Sequence, residues 1–293
     1  MSSRAGALIG MLRPHQWTKN LLVFVSLIAG HQYTDTRLIE LTLLCFVSLC
    51  LVASGGYVLN DLADVRDDRQ HPLKRQRPIA AGQVGRTSAC AVALSLLGGG
   101  LALAWLVSPS VFACVAAYVL GATLYTFWAK HKLLLDIIVL AALYTSRIVA
   151  GVAVAQLVPS FWLLAFSMFL FASLATLKRF VELIERPAQA LAEFSMRAYA
   201  SEDRSIIAMI GVANGFLSIL VLAFYLNSEE VTQLYTDPVL LWLICPLFMY
   251  WVGRIWLLAS RGLVHGDPIL FALRDRLSYL LLAIVLAIGL AAT

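Results

Sequence analysis

Stretches of about 20 mostly apolar residues recur along the whole chain, the length a helix needs to cross a hydrocarbon layer. We read nine such spans, at 14–31, 38–60, 88–107, 111–129, 134–157, 161–178, 206–226, 238–258 and 277–293. The first holds only a brief uninterrupted apolar run, Leu21 to Gly30, because Arg13, His15 and Lys19 lie just before it. Lipid offers no hydrogen-bonding partner to the backbone, so repeated spans of this kind must be helices. With 61% hydrophobic and 13% charged residues among 293, the expected fold is an all-α polytopic membrane protein, a single domain over 1–293. No cleavable signal pattern is read, and the whole chain is treated as mature.

Charge sets the orientation. Of 22 Lys and Arg, all but Arg37, Arg147 and Arg254, the last near the end of span eight, lie in the N-terminal segment or at the loops that follow spans two, four, six and eight. Those loops are expected to face the cytoplasm, in a cell (inner) membrane. The opposite loops are short and carry little beyond Asp35, Glu229, Glu230 and Asp237, so the chemistry is expected on the cytoplasmic side. A net charge of +5 is accounted for by topology and attraction to anionic headgroups. It does not imply nucleic-acid binding.

At the end of span two, Asn60-Asp61-Leu62-Ala63-Asp64-Val65-Arg66-Asp67-Asp68 places four carboxylates and an amide where the membrane meets water. If the helix runs on through this segment, at about 100° per residue, Asn60, Asp61, Asp64, Asp67 and Asp68 share one side of it. Such a stripe repels itself unless cations share it. Oxygen ligands that leave part of the coordination shell open suit Mg2+ bound together with substrate phosphates, so we read a Mg2+-diphosphate site here. A solvated acidic helix end is the plain alternative.

The loop continues into His71-Pro72-Leu73-Lys74-Arg75-Gln76-Arg77-Pro78, so carboxylates are followed at once by cations. Metal ligands beside Lys74, Arg75 and Arg77 suit a polyanion, although any one of these cations also serves the topology. A second dense region, Lys178-Arg179-Phe180-Val181-Glu182-Leu183-Ile184-Glu185, closes span six, with Lys178, Glu182 and Glu185 on one helix face and Arg179 at its shoulder. A simple Lys178–Glu182 ion pair is the bland reading of this face. Span five carries the intramembrane cation Arg147, on the same face as Asp136 and one turn from Tyr144. A charge at that depth must face a cavity or a partner. Lys130, His131 and Lys132, and Arg274-Asp275-Arg276 before span nine, add polar groups on the same side.

Other features carry less. Cys45, Cys50, Cys90, Cys114 and Cys245 lie inside spans without metal-ligand spacing, and His15, His31, His71, His131 and His265 are scattered singly. No transition-metal site is expected. Gly98-Gly99-Gly100 lacks the context of a phosphate loop and reads as close helix packing.

Taken together, nine spans, the Asn-Asp-x-x-Asp-x-x-x-Asp pattern at Asn60–Asp68 and a second polar cluster after span six resemble the UbiA superfamily of intramembrane prenyltransferases. The resemblance covers nearly the whole chain. It is closer to one branch, the decaprenyl-phosphate phosphoribosyltransferases of arabinan precursor synthesis for the cell wall. Arg13-Pro14-His15-Gln16-Trp17-Thr18-Lys19-Asn20, Asn60 through Gly82, Tyr144-Thr145-Ser146-Arg147, Lys178 through Leu183 and Ala272-Leu273-Arg274-Asp275-Arg276 carry it. The aromatic prenyltransferases of the superfamily have a second Asp-rich motif where this chain has two cations. The resemblance implies a UbiA-like bundle in which Asn60, Asp61, Asp64 and Asp68 hold Mg2+, the three carboxylates being the catalytic set. It implies phosphoribosyl diphosphate and a polyprenyl phosphate as substrates. Lys178, Arg179 and Arg147 would hold phosphates, with Lys19, Lys74, Arg75 and Arg77 as further candidates and Tyr144, Glu182 and Arg274 beside them. The lipid tail would lie in a groove between spans. Two alternatives stay open on the sequence: an aromatic or quinone-precursor prenyltransferase, and a transporter of a phosphorylated solute.

Overall fold

A computed structural model describes residues 4–70, 74–185 and 199–293. His71, Pro72 and Leu73 of the basic loop lie outside the described residues. Every regular element among the described residues is helical. Two compact units are formed, Met1–Lys130 with Ser146–Val158, and His131–Thr145 with Pro159–Thr293.

The first unit holds α1 (Arg4–Leu12), α2 (Val25–Ala29), α3 (Thr36–Ala63), α4 (Val65–Gln70), α5 (Arg86–Val107), α6 (Pro109–Phe127) and the second half of α7 (Leu135–Ala155). Asp35 starts α3 by accepting from the Leu38 amide at 3.1 Å, and Ser108 does the same for α6 through Val111 at 3.1 Å, with Pro109 in the first turn. The main packing in this unit is α3 against α5. It is close because Gly100 has no side chain: a Cβ there would stand 2.6 Å from Val52 Cγ1 and 2.9 Å from the Ser48 carbonyl. Ser48 Oγ donates to the Gly100 carbonyl at 2.7 Å. Gly98 and Gly99 meet nothing within 4 Å, so the glycine run contributes to packing through its last member.

The second unit holds the first half of α7, α8 (Phe161–Glu185), α9 (Arg204–Leu226), α10 (Glu229–Thr232), α11 (Ile244–Ser260), α12 (Pro268–Ala272) and α13 (Arg276–Ala292). Here α8 packs along α9. A Cβ on Gly211 would lie 2.1 Å from the Trp256 ring, so only glycine admits that indole. Asp275 opens α13, accepting from the Ser278 amide at 3.0 Å.

Seven helical segments among the described residues are long and apolar enough to cross a membrane, from Thr36–Ala63 to Pro238–Ser260, which makes this a multi-pass membrane protein. The expected ninth span forms the shorter apolar helix Arg276–Ala292. The expected first span takes a different form. Pro14–Phe24 winds as a 3-10 helix and only Val25–Ala29 is α-helical. Side-chain bonds and close contacts hold it against its neighbours: Asn20 donates to Cys50 Sγ at 3.2 Å, and a Cβ on Gly151 would stand 2.1 Å from the Val23 carbonyl.

Candidate active site

In the first unit α3 does not run on through the acidic segment. It ends at Ala63, Asp64 takes φ −91° and ψ 7°, and α4 begins at Val65. Asp is a poor interior helix residue because its side chain offers competing bonds, and Asp64 uses both oxygens, accepting from Asn60 Nδ2 at 3.0 Å and Lys130 Nζ at 2.6 Å. The break is slight, since the Asp68 amide still donates to the Asp64 carbonyl at 2.9 Å. Asp61 and Asp68 are buried and Asp64 is half-buried, whereas Asp67 is exposed. The expected five-residue stripe is therefore corrected to Asn60, Asp61, Asp64 and Asp68. Beneath them Met11, Val58, Val65, Ile79, Ala89 and Ala93 form an apolar base.

Each carboxylate faces a cation. Arg13 Nη2 donates to Asp61 Oδ1 at 2.6 Å, and Arg77 Nη1 bridges Asp61 Oδ1 at 3.0 Å and Asp68 Oδ2 at 2.7 Å. Lys130, itself buried, binds Asp64 and reaches Asn60 Oδ1 at 3.4 Å. Arg13 is held in the left-handed region, φ 51°, with its guanidinium 5.2 Å from the centre of the Tyr57 ring. A non-glycine residue there stores strain that the surrounding contacts must overcome. Among the described residues no three His, Cys, Asp or Glu side chains converge as a ready metal cage. The donor set nevertheless fits Mg2+: hard oxygens only, from three carboxylates and an amide.

Arg147 lies on the second half of α7 and is buried. Its Nε donates to Asn20 Oδ1 at 2.9 Å, its Nη2 to the Tyr118 hydroxyl at 3.0 Å, and its guanidinium lies 4.6 Å from that ring's centre. Lys19 is buried in the same unit. Lys74 is half-buried and Arg75 exposed.

In the second unit the cluster is organised by Asp136. Its Oδ2 accepts from Arg179 Nε at 2.6 Å and its Oδ1 from the Tyr199 hydroxyl at 2.6 Å, while Arg179 Nη1 donates to Glu182 Oε2 at 2.7 Å. Asp136 and Arg179 are 0% and 1% exposed, so this is an ion pair withdrawn from water. Burial, and then the bond to Asp136, push the Tyr199 hydroxyl pKa well above its ordinary 10.0. Lys178 reaches Asp267 at 3.5 Å, and Glu185 accepts from the Gly266 amide at 3.3 Å. Arg179 and Glu182, three residues apart on α8, form an ion pair at 2.7 Å. Arg254 clamps Asp275 through two bonds of 2.7 and 3.0 Å, which hold the Asp275 carboxyl below its usual range, and Arg274 beside it is exposed. Tyr144 stacks on Phe171 with ring centres 5.1 Å apart.

Sequence reasoning gave no site role to Arg13, Asn20, Tyr118, Asp136 or Tyr199, and treated Lys130 only as a nearby charge. Their signal was the cost of burying polar side chains. Each must meet a partner, but the partner lies elsewhere in the chain.

Residues 21–265 match the UbiA prenyltransferase family. The chain is 39% identical over 277 residues to the uncharacterized protein y4nM of Sinorhizobium fredii, covering 94% of this chain but about half of that protein, 53%. It is 35% identical over 278 residues to nodulation protein NoeC of Azorhizobium caulinodans, covering 95% and 90% of the two chains. It is also 30% identical over 288 residues to decaprenyl-phosphate phosphoribosyltransferase of Mycobacterium tuberculosis, covering 96% and 92%. Among solved structures, a UbiA homolog from Archaeoglobus fulgidus bound to DMAPP and Mg2+ superposes with a TM-score of 0.72 at 16% identity, over 97% of this chain and 98% of that one. At that identity the likeness establishes the fold alone.

Proposed function

This chain belongs to the UbiA prenyltransferase family, and from that premise we propose that it transfers 5-phosphoribose from phosphoribosyl diphosphate to a decaprenyl or similar polyprenyl phosphate, at the cytoplasmic side of the inner membrane. The observation that carries this reading is the chemistry of the 178–185 cluster. Its residues are two cations and two carboxylates, with Glu182 committed to Arg179 and Glu185 to the His265–Gly266 turn. A phosphoryl group beyond the departing diphosphate calls for a cation there rather than a metal ligand, and Lys178 is the half-exposed cation of the cluster. Near full-length similarity to a protein named decaprenyl-phosphate phosphoribosyltransferase supports the same reading.

An acceptor phosphate oxygen forms a bond to ribose C1 as the C1–O bond to diphosphate breaks, and the electron pair leaves with diphosphate. The acceptor is already an anion, so no residue need remove a proton. Asn60, Asp61, Asp64 and Asp68 would hold Mg2+, which supplies Lewis-acid neutralisation of the leaving group. Lys178 serves as a phosphate contact. Arg179, buried between Asp136 and Glu182, acts by positioning α8. Arg147 is oriented by Asn20 and Tyr118, and Lys19, Lys74, Arg75, Arg77 and Arg274 remain proposed phosphate contacts.

Purified protein in lipid would be given radiolabelled phosphoribosyl diphosphate with polyprenyl phosphate, and separately prenyl diphosphate with an aromatic acid. Labelled lipid is expected only from the first pair. Product only from the second would replace this reading with an aromatic prenyltransferase.

A further inference from the structure

We infer that Arg77 is a place-holder for the divalent cation, a guanidinium that closes the Asp61–Asp68 pair in the metal-free protein and swings out when metal binds. The inference rests on the reading of these carboxylates as metal ligands.

Three observations carry it. First, one nitrogen, Nη1, lies within hydrogen-bond distance of both carboxylates, 3.0 Å from Asp61 Oδ1 and 2.7 Å from Asp68 Oδ2. Two buried carboxylates repel each other unless a positive charge is shared between them. A metal ion held by these carboxylates would compete with this nitrogen for the same oxygens. Second, the side chain can leave without its loop. Ile79 is embedded in the apolar base, Arg69 Nε donates to the Ala80 carbonyl at 3.1 Å, and the Gln83 amide donates to the Pro78 carbonyl at 2.9 Å. The backbone on the C-terminal side of Arg77 is therefore fixed independently, and the side chain is already 25% exposed. Third, Arg13 has a hold besides Asp61, since its guanidinium lies 5.2 Å from the centre of the Tyr57 ring.

Once displaced, the guanidinium carries its charge beside the loaded site, where a phosphate oxygen is its strongest new partner. Metal occupancy would then prepare the site for a polyanion. By linkage the polyanion would tighten metal binding to the same degree.

The test uses the full chain, purified in detergent, stripped with EDTA and titrated with Mn2+ alone, reading free Mn2+ by electron paramagnetic resonance. Arg77→Gln is expected to bind Mn2+ about tenfold more tightly than the unmodified protein, the scale of one charge-assisted hydrogen bond. Arg77→Lys, which keeps the charge but not the fork, should fall between them. Arg75→Gln removes an equal charge from the neighbouring exposed residue and should change affinity by less than about twofold, because screened surface charges interact weakly. Thermal unfolding without metal should show Arg77→Gln less stable than the unmodified protein and more strongly stabilised by Mn2+. Equal or weaker Mn2+ binding by Arg77→Gln would overturn the place-holder, as would equal tightening by Arg75→Gln. Folded unmodified protein that binds no Mn2+ would overturn the metal reading together with it.

Discussion

Removing Asp136 should destabilise the second unit more than any single polar substitution elsewhere in that unit. Its carboxylate is 0% exposed and accepts from Arg179 and Tyr199, both at 2.6 Å. Asp136→Ala leaves the buried guanidinium with Glu182 as its remaining carboxylate. Breaking a buried pair at one end costs about 3–5 kcal/mol, and the lost bond from the Tyr199 hydroxyl, which keeps only its acceptance from the Leu134 amide, adds ~1 kcal/mol. Arg179→Ala strands the carboxylate instead and should cost about 3–5 kcal/mol. The double variant should cost less than the sum by at least ~2 kcal/mol, because each single substitution already removes the interaction between the two side chains. Replacing the pair with packed apolar residues, Asp136→Leu with Arg179→Met, should come close to neutral. SDS titration of the protein in mixed micelles, followed by tryptophan fluorescence, measures all four. Additivity of the single variants to within about 0.5 kcal/mol would refute the pairing. An Arg179→Ala protein of unchanged stability that no longer binds the donor would make Arg179 a substrate ligand rather than a positioning residue.

Asp64→Asn or Asp68→Asn should abolish turnover, as should EDTA on the unmodified protein, and full activity of both variants in EDTA would remove the metal assignment. Gly151→Ala should be destabilising by about 1–3 kcal/mol, because its Cβ would meet the Val23 carbonyl at 2.1 Å. Gly99→Ala, which meets nothing, should be neutral or stabilising by up to ~1 kcal/mol in the same unfolding assay. Because the Tyr199 pKa is raised by folding, its bond to Asp136 contributes fully below the ordinary 10.0 and is lost as pH rises through the folded value. The stability advantage of the unmodified protein over Tyr199→Phe should accordingly shrink as pH rises above 10.0. Cysteines placed at Arg77 and Glu230 should label from opposite sides of the membrane, and labelling from one side would overturn the proposed orientation.

What the sequence determined by itself is what depends on neighbours along the chain. Apolar runs such as 38–60 and 206–226 form helices because lipid leaves the backbone no other partner, and the family pattern Asn60 to Asp68 is readable as consecutive letters. Even there a local detail escaped, since Asp64 interrupts α3 by bonding Asn60 and Lys130, which places Asp67 in solvent. Tertiary structure alone decided which charge meets which. Asp136 and Arg147 lie on one face of one helix, yet Asp136 is held by Arg179 and Tyr199 whereas Arg147 is held by Asn20 and Tyr118. Arg77 and Arg13 reach Asp61 from 16 and 48 residues away. A buried charge must find a partner, and that demand is written in the sequence. Which partner answers it is fixed by distance in space, where chain separation carries no information.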